Sequence, residues 1–193
     1  MSAHLQPSLP FQIKTIFCQT YTDCATMYQT VRYSMGAQFT EPPGFPNFLH
    51  QFRMVDMYHR AMPVDLKEKV LQSFITVGGN LRMIFATSAF GLGIDCPDIR
   101  RVIHWGPPNY LDTYVQESGR AGRDGQQCVA ILLYGKMKEH TSERMQRYVG
   151  TARCRRVTLF RDFLLGEQVQ SISPGCKCCD MCTTSCQCCS CRC

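Results

Sequence analysis

Short apolar runs alternate along this chain with stretches of helical spacing, and that alternation narrows the fold more than any other feature. Residues 13–18 (Ile-Lys-Thr-Ile-Phe-Cys) form a β-rich run, and residues 21–36 read as a helix ended by Gly36. Pro63, well suited to a first helical turn, opens a second helix that runs to about Val77. Residues 82–87 (Arg-Met-Ile-Phe-Ala-Thr), 101–105 (Arg-Val-Ile-His-Trp) and 128–134 (Cys-Val-Ala-Ile-Leu-Leu-Tyr) read as buried strands, with a short helix at Leu111–Ser118. Residues 37–54, containing Phe-Thr-Glu-Pro-Pro-Gly-Phe-Pro-Asn-Phe, look like a loop insertion. Strands alternating with helices imply an α/β fold, a parallel sheet covered by helices on both faces. Ligands in such folds sit at the carboxyl ends of the strands, where two candidate loops start, one at Thr87 and one running to Gly119. Past Lys136 the chain turns charged and helical, and from Cys176 it is nearly all cysteine and small polar residues. The expected division is an α/β domain at 1–135, a small helical subdomain at 136–182, and a disordered cysteine-rich tail at 183–193.

The cysteines are distributed unlike a disulfide framework. Nine of the 14 fall in the last eighteen residues. The opening Met-Ser-Ala-His-Leu-Gln-Pro-Ser-Leu-Pro has no basic start followed by an apolar stretch, so no secretory signal is expected. No apolar run reaches the roughly 18 residues of a membrane span. A cysteine tract in that setting reads as metal binding, and the chain is expected in the cytosol or nucleus, without a membrane partner. Cys176, Cys179 and Cys182 recur every third residue, with Cys154 about twenty residues earlier beside Arg155-Arg156. Closely spaced cysteines with one distant partner suit a closed, tetrahedral, structural zinc site. Cys178 is an extra thiol inside the motif and a competing ligand. His4, His50, His59, His104 and His140 never cluster with metal spacing, and His104 and Trp105 read as core.

A net charge of +6 is a mild basic excess, but its distribution is uneven. Arg120, Arg123, Lys136, Lys138, Arg144, Arg147, Arg153, Arg155, Arg156 and Arg161 lie within one stretch. That run is either a solvated helix face or a stripe that faces phosphates. Two loops carry the rest of the chemistry. Ala86-Thr87-Ser88-Ala89-Phe90-Gly91-Leu92-Gly93-Ile94-Asp95 follows a strand, and its glycines let backbone amides approach a phosphate or sugar closely. Thr87 and Asp95 add hydrogen-bonding groups, and the missing third glycine excludes the dinucleotide fingerprint. Gln116-Glu117-Ser118-Gly119-Arg120-Ala121-Gly122-Arg123-Asp124-Gly125 sets two arginines three apart on a glycine-punctuated turn. Such a turn is either solvated surface or a source of fixed positive charge for one anionic group.

These two loops, in this order, together with Ile103-His104-Trp105-Gly106-Pro107-Pro108, closely resemble the fifth and sixth motifs of superfamily-two helicases. Gln-Glu-Ser-Gly-Arg-Ala-Gly-Arg-Asp-Gly is similar to the RecQ form, Tyr58-His59-Arg60-Ala61 to that family's tyrosine-histidine motif, and Ile16-Phe17-Cys18 to its opening strand. Cys154-Arg155-Arg156 through Cys176, Cys179 and Cys182 resembles the RecQ zinc module. The resemblance covers nearly the whole chain to Cys182 and implies a RecA-like second motor lobe of an ATP-dependent 3′→5′ DNA helicase, working in the nucleus. It implies that Arg123 is an arginine finger reaching the γ-phosphate, supported by Arg120 and Gln116. It implies that Gly91, Gly93 and Asp95 couple nucleotide state to DNA grip, and that Thr87, Ser88, Tyr58, His59, Arg155 and Arg156 belong to the same coupling and DNA-binding surface. DNA, as single strand and duplex junctions, is the implied partner, with zinc held by Cys154, Cys176, Cys179 and Cys182. The insertion at 37–54 departs from the compact bacterial pattern beside Tyr58.

A nucleotide-driven motor also needs a Gly-x-x-x-x-Gly-Lys-Ser/Thr loop and an acid for magnesium. The only Gly-Lys here is Gly135-Lys136, followed by Met137, and no Asp-Glu-x-His box is present. ATP and magnesium are therefore expected only together with a separate first lobe, and the chain alone is expected not to turn over ATP. Two other readings stay open: a non-catalytic module that binds DNA or docks on a helicase, and a cysteine-rich metal-binding protein on a borrowed scaffold.

Overall fold

The computed structural model describes residues 13–76, 78–91, 96, 99–135, 140–164, 168–169, 175–176 and 178–186. Contacts divide the chain into two compact units, one of Met1–Pro108 with Asp112–Met137, the other of Asn109–Leu111 with Lys138–Cys193.

The first unit is built on five parallel strands: β1 (Ile13–Cys18), β2 (Val55–Tyr58), β3 (Met83–Ala86), β4 (Ile99–Trp105) and β5 (Val129–Leu133), in the order β2-β3-β1-β4-β5. Alternation along the strands sends side chains to two separate cores. Phe17, Ile84, Ala86 and Val102 face one side, where α2 (Val64–Ile75) contributes Val70 and Phe74 and the loop after β3 contributes Phe90. Ile16, Cys18 and Phe85 face the other side, where α1 (Tyr21–Met35) contributes Cys24 and Tyr28. Cys24, for which the sequence suggests no partner, donates from Sγ to the Phe85 carbonyl at 3.1 Å. Each of the fully buried phenylalanines stabilises the unit by roughly 1.5–3 kcal/mol.

Local signals set the helix bounds. Thr20 caps α1 by accepting from the Asp23 amide at 3.0 Å, and Gly36, at φ 52°, ends it. Pro63 caps α2 as expected of a residue with no amide proton to satisfy. The 37–54 insertion holds two short 3-10 turns, Gly36–Phe39 and His50–Phe52, and closes on itself through a Thr40–Arg53 bridge. The chain then enters β2, a strand that the sequence reading missed.

Two expectations about burial need correction. The run 128–134 forms β5, but Val129, Ile131 and Leu133 are 46%, 36% and 44% exposed. Trp105, expected in the core, is 44% exposed. Register explains both: Arg101, Ile103 and Trp105 pair with Val129, Ile131 and Leu133, so all six share the face on which α1 lies. α1 packs over β1, β2 and β3. Among the described residues of this unit, no helix extends that cover to β5.

In the second unit, α4 (Glu143–Val149) is capped by Ser142, whose Oγ accepts from the Met145 amide at 3.3 Å, and buries Met145, Tyr148 and Val149. α5 (Arg155–Phe160) and α6 (Asp180–Ser185) follow, and no strand occurs among its described residues.

Candidate functional site

α3 (Leu111–Ser118) begins beyond the carboxyl end of β4 and carries the chain back across the sheet. The loop thus starts where expected, but its arginines emerge at the opposite end. The Gly122 amide donates to the carbonyl of Ile99, the first residue of β4, at 3.1 Å. Arg123 and Asp124 then form the crest of a turn closed by the Gly125 amide donating to Gly122 O at 3.0 Å. Gly122 has φ 70°, and a Cβ there would stand 2.7 Å from Cys128 Sγ, so only glycine fits. Asp124 accepts a fork from Arg100, NH1 to Oδ1 at 2.9 Å and NH2 to Oδ2 at 2.5 Å. That fork, helped by the Gln126 amide, holds the Asp124 carboxyl below its ordinary range.

Arg120 is 8% exposed whereas Arg123 is exposed. Burial and the charge of Arg123 oppose the charged form of Arg120, while Glu117 favours it. An arginine stays protonated under such pressure, so the pair concentrates positive charge at this end of the sheet. Glu117, itself 5% exposed, lies with Oε2 3.2 Å from His104 Nδ1, at an angle short of a hydrogen bond. His104 is fully buried, stacks on Phe17 with ring centroids 5.5 Å apart, and has Nε2 3.2 Å from Ser118 Oγ. The histidine is therefore core, as expected. Glu117 beside it, and the Arg100–Asp124 pair at the start of β4, were not singled out as site residues, though Glu117 and Asp124 stand inside the motif. Gln116 is exposed on α3.

The carboxyl end gathers a different set. Tyr58 pairs with Ala86, and the Thr87 amide donates to Tyr58 O at 3.2 Å, which joins the two loops. Ser88 is exposed and opens a 3-10 turn, Ser88–Gly91, and the Tyr58 ring packs edge-on to Phe90 at 5.3 Å. His59 contacts the ring of the exposed Tyr21 at 6.3 Å, and burial with nearby Lys67 lowers its pKa. Gly93 and Asp95 lie outside the described residues. β4 is seven residues long, so the two ends stand roughly 20 Å apart. Two open depressions of about 530 and 440 Å³ flank the 37–54 insertion, away from both motif loops.

In the second unit the sulfur ligand atoms of Cys154, Cys178 and Cys182 all lie within 4.8 Å of one another. Cys154 and Cys178 are 3.8 Å apart, and Cys179 and Cys182 are 3.6 Å apart. Cys178, the extra thiol of the motif, thus belongs to the close group. Burial and the neighbouring thiols Cys154 and Cys179 raise the pKa of Cys182. Arg155 donates to both oxygens of Asp180, at 2.6 and 2.8 Å, and to the carbonyls of Tyr148 and Val149, both at 3.2 Å. Its guanidinium thus ties the end of α4 and the start of α6 to the start of α5. Arg156 lies over the Phe160 ring at 5.6 Å, and Arg144 and Arg147 share Asp162 at 3.7 and 3.9 Å.

The five-stranded parallel sheet flanked by helices is a RecA-like lobe of the kind found in helicase C-terminal domains. Its fold is similar to Mycobacterium smegmatis helicase Lhr bound to ssDNA and AMP-PNP, with a TM-score of 0.55 and 19% identity over 86% of this chain and 18% of that one. It is also similar to the C-terminal domain of the DEAD-box protein Dbp5, with a TM-score of 0.52 and 19% identity over 74% and 72% of the two chains. The family profile "Helicase conserved C-terminal domain" matches residues 15–125, and the chain belongs to that family as a RecQ-like lobe. The Mus musculus bifunctional 3′-5′ exonuclease/ATP-dependent helicase WRN is 33% identical over 148 residues, 65% of this chain and 10% of its own length. The Caenorhabditis elegans RecQ-like DNA helicase blm-1 is 40% identical over 94 residues, 49% of this chain and 9% of its own. Among the most similar curated relatives the chain spans between 9% and 23% of their lengths.

Proposed function

We propose that this chain is the second motor lobe and zinc module of a RecQ-like ATP-dependent 3′→5′ DNA helicase of the nucleus. In this reading Arg123 reaches γ-phosphate charge on a nucleotide that another lobe holds, with Arg120 and Gln116 beside it. The observation that carries it is the turn at Gly122–Gly125, closed by its own hydrogen bond and tied to β4, which presents one exposed arginine next to a buried one. A forked, permanently charged group on a fixed backbone suits charge that develops on a transferring phosphoryl group. Thr87, Ser88, Tyr58 and His59, at the other end of the sheet, form the DNA-facing surface, with Gly91, Gly93 and Asp95 between the two roles. Of the basic pair, Arg156 is the phosphate contact, since the donors of Arg155 are engaged by Asp180 and two carbonyls.

The test is Arg123→Ala in a polypeptide that also contains a nucleotide-holding lobe. Loss of an arginine finger lowers hydrolysis by about a thousandfold or more while nucleotide binding persists. Hydrolysis at the parental rate would show that Arg123 has no such role.

The thiol cluster fits zinc. Zn–S bonds of about 2.3 Å in a tetrahedron place sulfurs roughly 3.8 Å apart, close to the 3.6 and 3.8 Å separations here. Cys154 and Cys182 are common to the spacing and to the close group, and Cys179 adjoins that group through its 3.6 Å contact with Cys182. Cys176 by spacing and Cys178 by proximity compete for the fourth position, and Cys176→Ser set against Cys178→Ser decides it by zinc content. Four thiolates leave no open position, so the metal's role is structural.

The absence of a phosphate-cradling loop from these 193 residues favours a second reading of the chain by itself, as a DNA-binding or helicase-docking module. It predicts no ATP turnover, and DNA affinity whose logarithm falls linearly with the logarithm of salt.

A further inference from the structure

The crest of the turn that carries Arg123 has a second occupant, Asp124, and its side chain is anchored from outside the motif. Arg100, the second residue of β4, grips both carboxylate oxygens, at 2.9 and 2.5 Å. The Gln126 amide donates to the same carboxylate at 3.1 Å, and the Gly122 amide donates to Ile99 O at 3.1 Å. The turn is thus fastened to two successive residues of β4, by backbone at Ile99 and by side chain at Arg100. Side-chain exposures of 23% and 28% leave the ion pair partly in water, where such pairs add little to stability. Two parallel hydrogen bonds on one carboxylate nevertheless fix direction as well as distance. Asp124 and Arg123 share a peptide bond, so fixing the one aims the other.

We propose that Arg100, acting through Asp124, is a positioning residue for Arg123. The proposal rests on the reading of Arg123 as the γ-phosphate arginine. Displacing a catalytic group by about 1 Å costs rate on the order of a hundredfold, far more than the pair adds to folding. Loss of Arg100 therefore changes turnover and leaves thermal stability nearly unchanged. Arg100→Lys keeps the charge but not the fork, so it falls between Arg100→Gln and the parent.

Two measurements test this. In the chain itself, hydrogen exchange at the Gly125 amide is followed by NMR in Arg100→Gln, Asp124→Asn and Arg100→Lys. The expected result is exchange about fivefold faster in the first two and an intermediate value in the third, with strand amides unchanged. In the chain supplied with a nucleotide-holding lobe from a RecQ-type relative, Arg100→Gln lowers kcat about tenfold and leaves KM for ATP unchanged. Unaltered Gly125 exchange in both Arg100→Gln and Asp124→Asn overturns the proposal whatever the hydrolysis shows. So does an unaltered kcat in Arg100→Gln while Arg123→Ala abolishes turnover. If Arg123→Ala leaves hydrolysis intact, the arginine-finger reading fails instead, and the exchange data alone decide whether Arg100 orders the turn.

Discussion

Glu117 faces His104 on one side and feels Arg120 on the other, in a place that water scarcely reaches. Removing that carboxylate takes away the buried negative charge that favours the charged form of Arg120 and leaves a void beside His104. Glu117→Ala is expected to destabilise the lobe by about 2 kcal/mol or more, measured by urea unfolding. A loss below about 0.5 kcal/mol would mean that the surrounding groups rearrange to replace it. Asp124 makes the complementary case at the surface. Hydrogen bonds from Arg100 hold its folded pKa below the ordinary carboxylate value of about 3.9. The folded form thus binds this proton less readily than the unfolded chain. Its contribution is complete above that ordinary value and is lost as pH falls through the depressed one. Gly125 exchange, corrected for its intrinsic pH dependence, should stay flat above about pH 5 and rise in acid. In Arg100→Gln the rise should begin at higher pH. Coincident profiles in the two proteins would remove the ion pair from the account.

At the scale of elements, what was legible in the sequence follows from whether a signal is local. α1 announces its end through Gly36, and α2 its start through Pro63, because caps and breakers act within a turn. The motif loops were legible because their glycines are steric necessities, as Cys128 against Gly122 demonstrates. β2 was missed because Val-Asp-Met-Tyr is only four residues long, and its buried Asp56 reads as a polar break. That carboxylate is matched by Arg53 at 2.9 Å and His50 at 2.8 Å, neighbours three and six residues earlier whose contact with it depends on how the turn before β2 folds. The same limit applied to β5. Val-Ala-Ile-Leu-Leu reads as a buried strand, and nothing local says whether a helix covers it. The end of the sheet at which Arg120 and Arg123 emerge depends on the direction of α3, which is again a tertiary fact. Ile131→Lys places a charge in the middle of the uncovered stripe. It should lower concentration-dependent association, followed by light scattering, with little change in unfolding midpoint. An unfolding midpoint lowered by more than about 5 °C would show instead that Ile131 is packed in solution.

On the scale of the whole molecule, the two units draw on different sources of stability. The first has two aliphatic and aromatic cores on either side of a sheet. The second, among its described residues, buries Met145, Tyr148 and Val149 in α4 and none in α5 or α6. So small an apolar interior needs a staple. Zinc on the thiol cluster would supply it, joining the start of α5 to the start of α6. Chelation, or Cys179→Ser, should release one zinc per chain and unfold this unit while the sheet persists, read by metal analysis and circular dichroism. Retention of zinc in Cys179→Ser would remove Cys179 from the site, and several ions per chain would favour the metal-storage reading.

The open edge of β5 also governs how the lobe behaves in company. Among the described residues, Val129, Ile131, Leu133 and Trp105 form an exposed apolar margin beside Arg101, and no lysine or proline in β5 guards it. Contacts between copies along that margin would compete with the lobe's own contacts as concentration rises. Dilution or a covering segment keeps such a lobe usable, so its working supply is set by how much of it stays apart from its own kind.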